Sequence, residues 1–385
     1  VKINPVEFEI KPLSTSSREI GVIRLNVPAK LNALDLSMVK LIRQQLIKWQ
    51  ACNRVVAVWL ESSMDKAFCA GGDVQALYYS AIESPGGPCD YAEAFFEEEY
   101  RLNHLMHTFG KPIIVWASGI VMGGGMGLMQ ASSHRIVTEN SRLAMPEITI
   151  ALYPDVAGSH FLNNCPAGTG LFTALTAASL NANDALFMKL ADYSVPYDAK
   201  SDLLQRIQAT AFDGNETDHE KVSNLISDYT ANELDALDDF KPSNIEKYAS
   251  LIDQLITDQT IEMVISNLLN IEINDPWFNK CQKALHKGSP ISLMNTFTAM
   301  KRVACLQNKP FETRSLYYAE LFQLELTLST NIVRHPEFSE GVRALLIDKD
   351  NQPNWIFNSV DAVPKPLIDS MFEPPWDAHP LRDLG

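Results

Sequence analysis

From Pro112 to His134 the chain carries no Asp, Glu, Lys or Arg, and within this stretch lies Gly123-Gly124-Gly125-Met126-Gly127. An uncharged run of that length can imitate a membrane span. Its glycines, the proline at its start and the polar end Gln130-Ala131-Ser132-Ser133-His134 argue instead for a buried strand over 112–117, a glycine turn and a buried helix. Glycines at a helix entry allow close backbone approach and leave N–H groups facing outward from that end. Such an end favours negative charge, as on a thioester oxygen or a phosphate. A dinucleotide fingerprint is excluded, because no glycine fills the third required position in either register.

Two carboxylates follow closely on loop-like sequence, in Met145-Pro146-Glu147 and Tyr153-Pro154-Asp155, each beside a proline that stiffens its position. Backbone donors together with carboxylates suit acyl-transfer chemistry. The same residues also suit a tight helix–strand packing point with two solvated acids, or a Glu147 paired with Arg135 or Arg142. A second glycine loop, Ala67-Phe68-Cys69-Ala70-Gly71-Gly72-Asp73, likewise follows an apolar strand (55–60) and precedes a helical stretch. If the two strands are neighbours, the N–H groups of Gly72 and Gly124 could converge on one oxygen and stabilise an enolate or a tetrahedral intermediate.

The rest of the first half reads as alternating strands and helices, an α/β pattern. A strand is expected over 18–26 and another near 135–138. Asp35 is placed to cap a helix reaching about Gln50. A further helix from Asp90 carries Phe95, Phe96, Tyr100 and Leu105, with Glu97, Glu98 and Glu99 crowded on it; such charge usually marks a solvated face. From about Ala167 the signals are helical. Ala211–Asp239, rich in Asp, Glu and Asn, reads as a polar insertion, and Ser289 opens a helix-rich final third. The net charge of −15 and the lack of a basic stripe speak against a nucleic-acid partner. The six cysteines show no Cys-x-x-Cys or zinc spacing and read as reduced thiols; Cys69 is expected to be a small buried thiol rather than a nucleophile. No export leader is visible, so the expected location is the cytoplasm, with a trimmed organellar leader left open. His134 and His160 lack a triad pattern, and no Gly-x-Ser-x-Gly elbow is present.

Phe68-Cys69-Ala70-Gly71-Gly72-Asp73 and Val121-Met122-Gly123-Gly124-Gly125-Met126-Gly127 resemble the two oxyanion-hole motifs of the crotonase (enoyl-CoA hydratase/isomerase) superfamily. Pro28-Ala29-Lys30-Leu31-Asn32-Ala33-Leu34 is similar to its early substrate-loop motif. Ala144–Glu147, Leu152–Gly158, Phe96–Tyr100 and the late Glu340-Gly341-Val342-Arg343-Ala344 with Asp348-Lys349-Asp350 resemble the branch that hydrolyses 3-hydroxyisobutyryl-CoA in valine breakdown. The resemblance implies a crotonase-like spiral core of stacked β-β-α turns over 1–205, a polar helical insertion over 206–288 and a helical C-terminal region over 289–385. It implies that Gly72 and Gly124 donate N–H groups to the thioester oxygen. Glu147 would attack the thioester carbon or activate water, Asp155 would assist proton transfer, Glu99 would help bind the acyl portion, and Lys30 would lie near the CoA phosphates. CoA is then part of the substrate, and no separate cofactor or metal is expected. Hydratases of the superfamily carry a second glutamate where this chain has Gly127, which disfavours hydration by a two-carboxylate route. The remaining readings are a hydratase or isomerase and a non-catalytic acyl-CoA-binding protein. Relatives of this kind form trimers or hexamers; a homo-oligomer is open, since the long C-terminal region could replace those contacts.

Overall fold

From Val55 onward the strands of this chain alternate between two sheets. The computed structural model describes residues 4–232, 239–257 and 259–385; part of the polar stretch 211–239 therefore lies outside the described residues. The larger sheet contains β1 (Val6–Pro12), β2 (Glu19–Leu25), β3 (Val55–Ser62), β5 (Ile113–Ala117), β7 (His134–Val137) and β9 (Tyr193–Ser194), in that order. β1 pairs antiparallel with β2, and the pairs β2–β3, β3–β5, β5–β7 and β7–β9 are parallel. The smaller sheet contains β4 (Ala67–Cys69), β6 (Ile120–Met122) and β8 (Arg142–Ala144). Thus β3–β4, β5–β6 and β7–β8 are three successive pairs, each giving its first strand to the large sheet and its second to the small one. This is the stacked spiral expected from the motifs.

Two compact units are present, each assembled from separate stretches. The first comprises Val1–Gly72, Leu102–Leu143 and Leu180–Ser243, and the second Asp73–Arg101, Ala144–Ser179 and Asn244–Gly385. This partition follows packing rather than chain order: the stretch 206–288 divides between the two units at Ser243, and 1–205 contributes to both.

Both sheets belong to the first unit, apart from Ala144 at the end of β8. Side-chain alternation along β2 sends Ile20 and Val22 to one face, where they join Trp59, Trp116 and Ile136 in a core completed by Leu203, Ile207, Val222 and Ile226 from the helices Lys200–Gln208 and Thr217–Asn232. The polar stretch after Ala211 therefore carries a buried apolar stripe. Gly21, on the other face of β2, lies under Trp49: a Cβ there would sit 2.7 Å from the indole ring. Trp49 belongs to α1 (Leu36–Ala51), whose N-cap Asp35 accepts a hydrogen bond from Met38 N–H.

The second unit is helical. It contains α2 (Val74–Glu83), α3 (Asp90–His107) as far as Arg101, and the 3-10 turn Glu147–Ile150. From Asn244 onward come successive helices, including Pro290–Gln307, capped by Ser289, and Arg314–Arg334, capped by Thr313. The stretch 251–271, with apolar residues at helical spacing, falls in two helices, Asn244–Ile256 and Ile261–Asn270, the second capped by Thr260.

Candidate active site

In the first unit β4 and β6 are adjacent and parallel, with Ala67 opposite Ile120 and Cys69 opposite Val121. The condition for the two glycine loops to meet is therefore fulfilled. Gly71 has φ +105°, and a Cβ on it would lie 3.2 Å from the Met122 carbonyl oxygen and 3.6 Å from the Gly124 nitrogen. Gly124 opens α4 (Gly124–Gln130), so its N–H is among the donors that the helix cannot satisfy internally. Gly125 must be glycine for the same close approach: a Cβ would lie 2.9 Å from Cys69 Cβ and 3.0 Å from its carbonyl carbon, and nearer still to the carbonyl oxygen. Gly127, in the body of α4, is buried.

The Pro28–Leu34 segment is fastened to this region through Asn32, which is fully buried. Asn32 accepts from Val27 N–H at 2.8 Å and donates to Ser62 Oγ (2.8 Å) and the Phe68 carbonyl (3.0 Å). Leu34 N–H donates to the Gly71 carbonyl at 2.7 Å. Lys30 ends the 3-10 turn Pro28–Lys30 and is exposed. The Cys69 thiol is buried and donates to the Asn32 carbonyl at 3.2 Å, as expected of a structural cysteine. Arg135 forms an ion pair with Asp192 at 2.6 Å.

In the second unit the carboxylates gather. Glu99, Glu147, Asp155 and Glu325 are all buried. Glu99 is on α3, on the same face as Phe95, Phe96 and Tyr100, while Glu97 on another face pairs with Arg101 at 3.0 Å. Glu147 opens the 3-10 turn after Pro146, and Ala151 closes it in the left-handed conformation. Asp155 precedes two left-handed residues, Val156 (φ 51°) and Ala157 (φ 68°).

Its Oδ2 accepts from the Tyr100 hydroxyl at 2.7 Å, and that hydroxyl lies 2.6 Å from Ser329 Oγ. The Tyr153 hydroxyl donates to the Glu325 carbonyl at 3.0 Å, and Ala157 N–H donates to Glu325 Oε2 at 2.9 Å. Glu99 Oε1, Glu147 Oε2 and Glu325 Oε1 are buried without a hydrogen-bond partner among the described residues.

Four acids buried together cannot all ionise as they would in water. Burial, with Asp155's charge adding to it, pushes Glu147 well above the usual carboxylate range. Glu99 is raised well above it by burial and by the charges of Asp155, Glu325 and Glu147. Glu325 is raised by burial, against the pull of Ala157 N–H. Asp155 is raised by burial to about 6, with the Tyr100 hydrogen bond opposing the rise. Such a group changes protonation near neutral pH, as a general acid or base must. His160 is held by Tyr317 at 2.6 Å and pushed down to about 4 by burial. His134 is likewise lowered to about 4, so neither is charged at neutral pH.

Glu147, Asp155 and Glu99 were singled out from the sequence; Tyr100's hydroxyl, Tyr153, Glu325 and Ser329 were not. A signal was present, since Tyr318, Phe322, Glu325, Ser329 and Ile332 recur at helical spacing on one buried stripe.

The chain belongs to the enoyl-CoA hydratase/isomerase family, whose model matches residues 20–372. Among its relatives, a mitochondrial 3-hydroxyisobutyryl-CoA hydrolase of Danio rerio is 34% identical over 352 residues, covering 91% of this chain and 86% of the relative. The Homo sapiens protein of the same name is 32% identical over 335 residues (87% and 81%), and that of Dictyostelium discoideum 30% over 385 residues (96% of each). A solved carnitinyl-CoA dehydratase from Mycobacterium thermoresistibile superposes with a TM-score of 0.78 at 28% identity over 97% of each chain. An enoyl-CoA hydratase from Rhodobacter sphaeroides 2.4.1 gives 0.77 at 29% identity over 96% of this chain and 97% of that one. No described helix is long and apolar enough to cross a membrane.

Proposed function

We propose that this chain hydrolyses 3-hydroxyisobutyryl-CoA to 3-hydroxyisobutyrate and CoA, a step of valine breakdown, without a separate cofactor. The observation that carries the reading is the shared burial of Glu147 and Asp155, in a chain that matches hydrolases of that name along most of their length. In this reading the N–H groups of Gly72 and Gly124 hold the thioester oxygen as it gains negative charge. Glu147 either attacks the acyl carbon, giving an anhydride that water hydrolyses after CoA has left, or takes a proton from the water that attacks. Collapse of the tetrahedral intermediate breaks the C–S bond, and a proton from the carboxylate pair reaches the departing sulfur. Asp155 near pH 6 is suited to that proton traffic. Glu99 contacts the acyl group, and Lys30, exposed on its turn, meets the CoA phosphates.

The second reading is hydration of an enoyl-CoA, the activity for which the Rhodobacter sphaeroides relative is named. Gly127 offers no second carboxylate for it. Free-thiol release decides. Wild type should release CoA from 3-hydroxyisobutyryl-CoA, and Glu147→Gln should lose about 10²–10⁴-fold of that rate. Hydration of crotonyl-CoA without thiol release would overturn the hydrolase reading, and binding without turnover of either substrate would favour a non-catalytic protein. In a single turnover in ¹⁸O-water, direct attack with water opening the anhydride at the Glu147 carbonyl carbon leaves the product unlabelled and puts the label into Glu147, whereas water attack on the thioester always labels the product. The compartment belongs to the proposal too: reduced cysteines suit the cytoplasm or a mitochondrial matrix, the relatives' names favour the second, and cell fractionation distinguishes them.

A further inference from the structure

Helix Arg314–Arg334 holds the Asp155 turn at two points one helical turn apart, Glu325 and Ser329. The backbone after Asp155 needs holding. Val156 and Ala157 both have positive φ, and a β-branched residue there is a conformational outlier costing energy that surrounding contacts must offset. Glu325 Oε2 accepts the Ala157 N–H at 2.9 Å, inside this strained turn. The Asp155 side chain is held separately. Tyr100 has one hydroxyl proton, which it donates to Asp155 Oδ2 at 2.7 Å. At the 2.6 Å contact with Tyr100, Ser329 is therefore the donor. Ser329 also lies 3.1 Å from the Tyr153 hydroxyl, which donates to the Glu325 backbone carbonyl at 3.0 Å.

We propose that Glu325, Ser329 and Tyr100 are positioning residues for Asp155: Glu325 fixes the backbone of its turn, and the Ser329-to-Tyr100 hydrogen-bond chain fixes and polarises its carboxylate. This rests on the reading of Asp155 as a working residue of the hydrolase. Glu99, Glu147, Glu325 and Tyr153 also face the cluster, and their charges interact with Asp155 or with one another. Of the four carboxylates Tyr100 donates to Asp155 alone within the described residues; its hydroxyl also interacts with that of Tyr153, which is raised well above the usual phenol range and stays protonated across the acidic limb. The direction follows from the chemistry: a donor stabilises the ionised carboxylate, and deleting it makes Asp155 harder to ionise.

The test is the pH profile of CoA release by Tyr100→Phe, with Ser329→Ala, Glu325→Ala and Glu325→Gln beside it. For Tyr100→Phe the acidic limb of kcat/KM should move up by about one pH unit, a roughly tenfold loss on that limb, with the alkaline plateau and KM little changed. Ser329→Ala should shift it the same way by less. Glu325→Ala should lower kcat by about tenfold or more at every pH, and Glu325→Gln, whose amide oxygen still accepts from Ala157 N–H, should restore most of it. An unmoved limb in Tyr100→Phe, or equal rates for Glu325→Ala and Glu325→Gln, overturns the proposal. Asp155→Asn separates the two levels. If it keeps the wild-type rate, the reading of Asp155 fails; if it is inactive while the Tyr100 and Glu325 variants behave as wild type, only the positioning proposal fails.

Discussion

Gly125→Ala should leave the protein folded and nearly inactive. The added Cβ would stand 2.9 Å from Cys69 Cβ and 3.0 Å from its carbonyl carbon, where carbon atoms normally rest at about 3.5 Å or more. The obstructing atoms are mostly backbone at the end of β4, so no flexible side chain can swing aside. The start of α4 must instead retreat by roughly half an ångström to one ångström, carrying with it the N–H of the adjoining Gly124. Overpacking of this kind costs about 1–3 kcal/mol, offset by about 1 kcal/mol because alanine is the better helix former. The net, about 0–2 kcal/mol, should lower the melting temperature by only a few degrees. The effect on rate is far larger: a displacement near 1 Å at a catalytic donor costs on the order of 10²-fold. Thiol release at saturating 3-hydroxyisobutyryl-CoA, alongside thermal melts, measures both. Gly110→Ala is the control, since a Cβ at Gly110 meets nothing within 4 Å and its only penalty is φ +81°; it should destabilise by about 1–2 kcal/mol without loss of kcat. A Gly125→Ala protein with kcat within threefold of wild type would refute the role given to the α4 entry.

Asp155→Asn should change the pH dependence of stability. With Asp155 raised from 3.8 to about 6, the folded protein binds more protons than the unfolded chain between those values. Stability from this group is full below pH 3.8 and lost as pH rises through 6, roughly 3 kcal/mol in all. The variant should therefore gain on wild type in melts at pH 8 relative to pH 4.5, and an equal gap at both pH values would count against the buried acid. Asn32→Ala leaves Val27 N–H and the Phe68 carbonyl without their partner and should cost about 2–4 kcal/mol in urea denaturation; a loss under 0.5 kcal/mol would show that the loop does not depend on it. Gly341→Ala would put a Cβ 2.7 Å from the Ile150 backbone and 2.9 Å from the Trp355 ring, against the turn that Glu147 opens. It should destabilise by about 1–3 kcal/mol and reduce kcat more than it changes KM, which steady-state kinetics would reveal.

Much of this arrangement is local chemistry and therefore readable in order along the chain. A buried strand is an uninterrupted apolar run, as at Val55–Leu60, and a glycine turn behind it marks a close backbone approach; both features depend on near neighbours. Asp35, Ser289 and Thr313 announce their helices because a cap acts within one turn. Prolines beside Glu147 and Asp155 mark them as held rather than floppy. Glu99 was less legible among three adjacent acids, and only the helical stripe it shares with Phe95, Phe96 and Tyr100 turns it inward. What the chain order could not disclose is proximity between distant segments. That β4 and β6 are neighbours is a property of the spiral, and it alone brings Gly71 against Gly124. Tyr100, Tyr153 and Ser329 read as ordinary packing residues until the helix Arg314–Arg334 places Ser329 beside both hydroxyls. The raised pKa of Asp155 has the same origin: sequence supplies the carboxyl, but desolvation is produced by everything packed around it, and that exists only once the chain has folded.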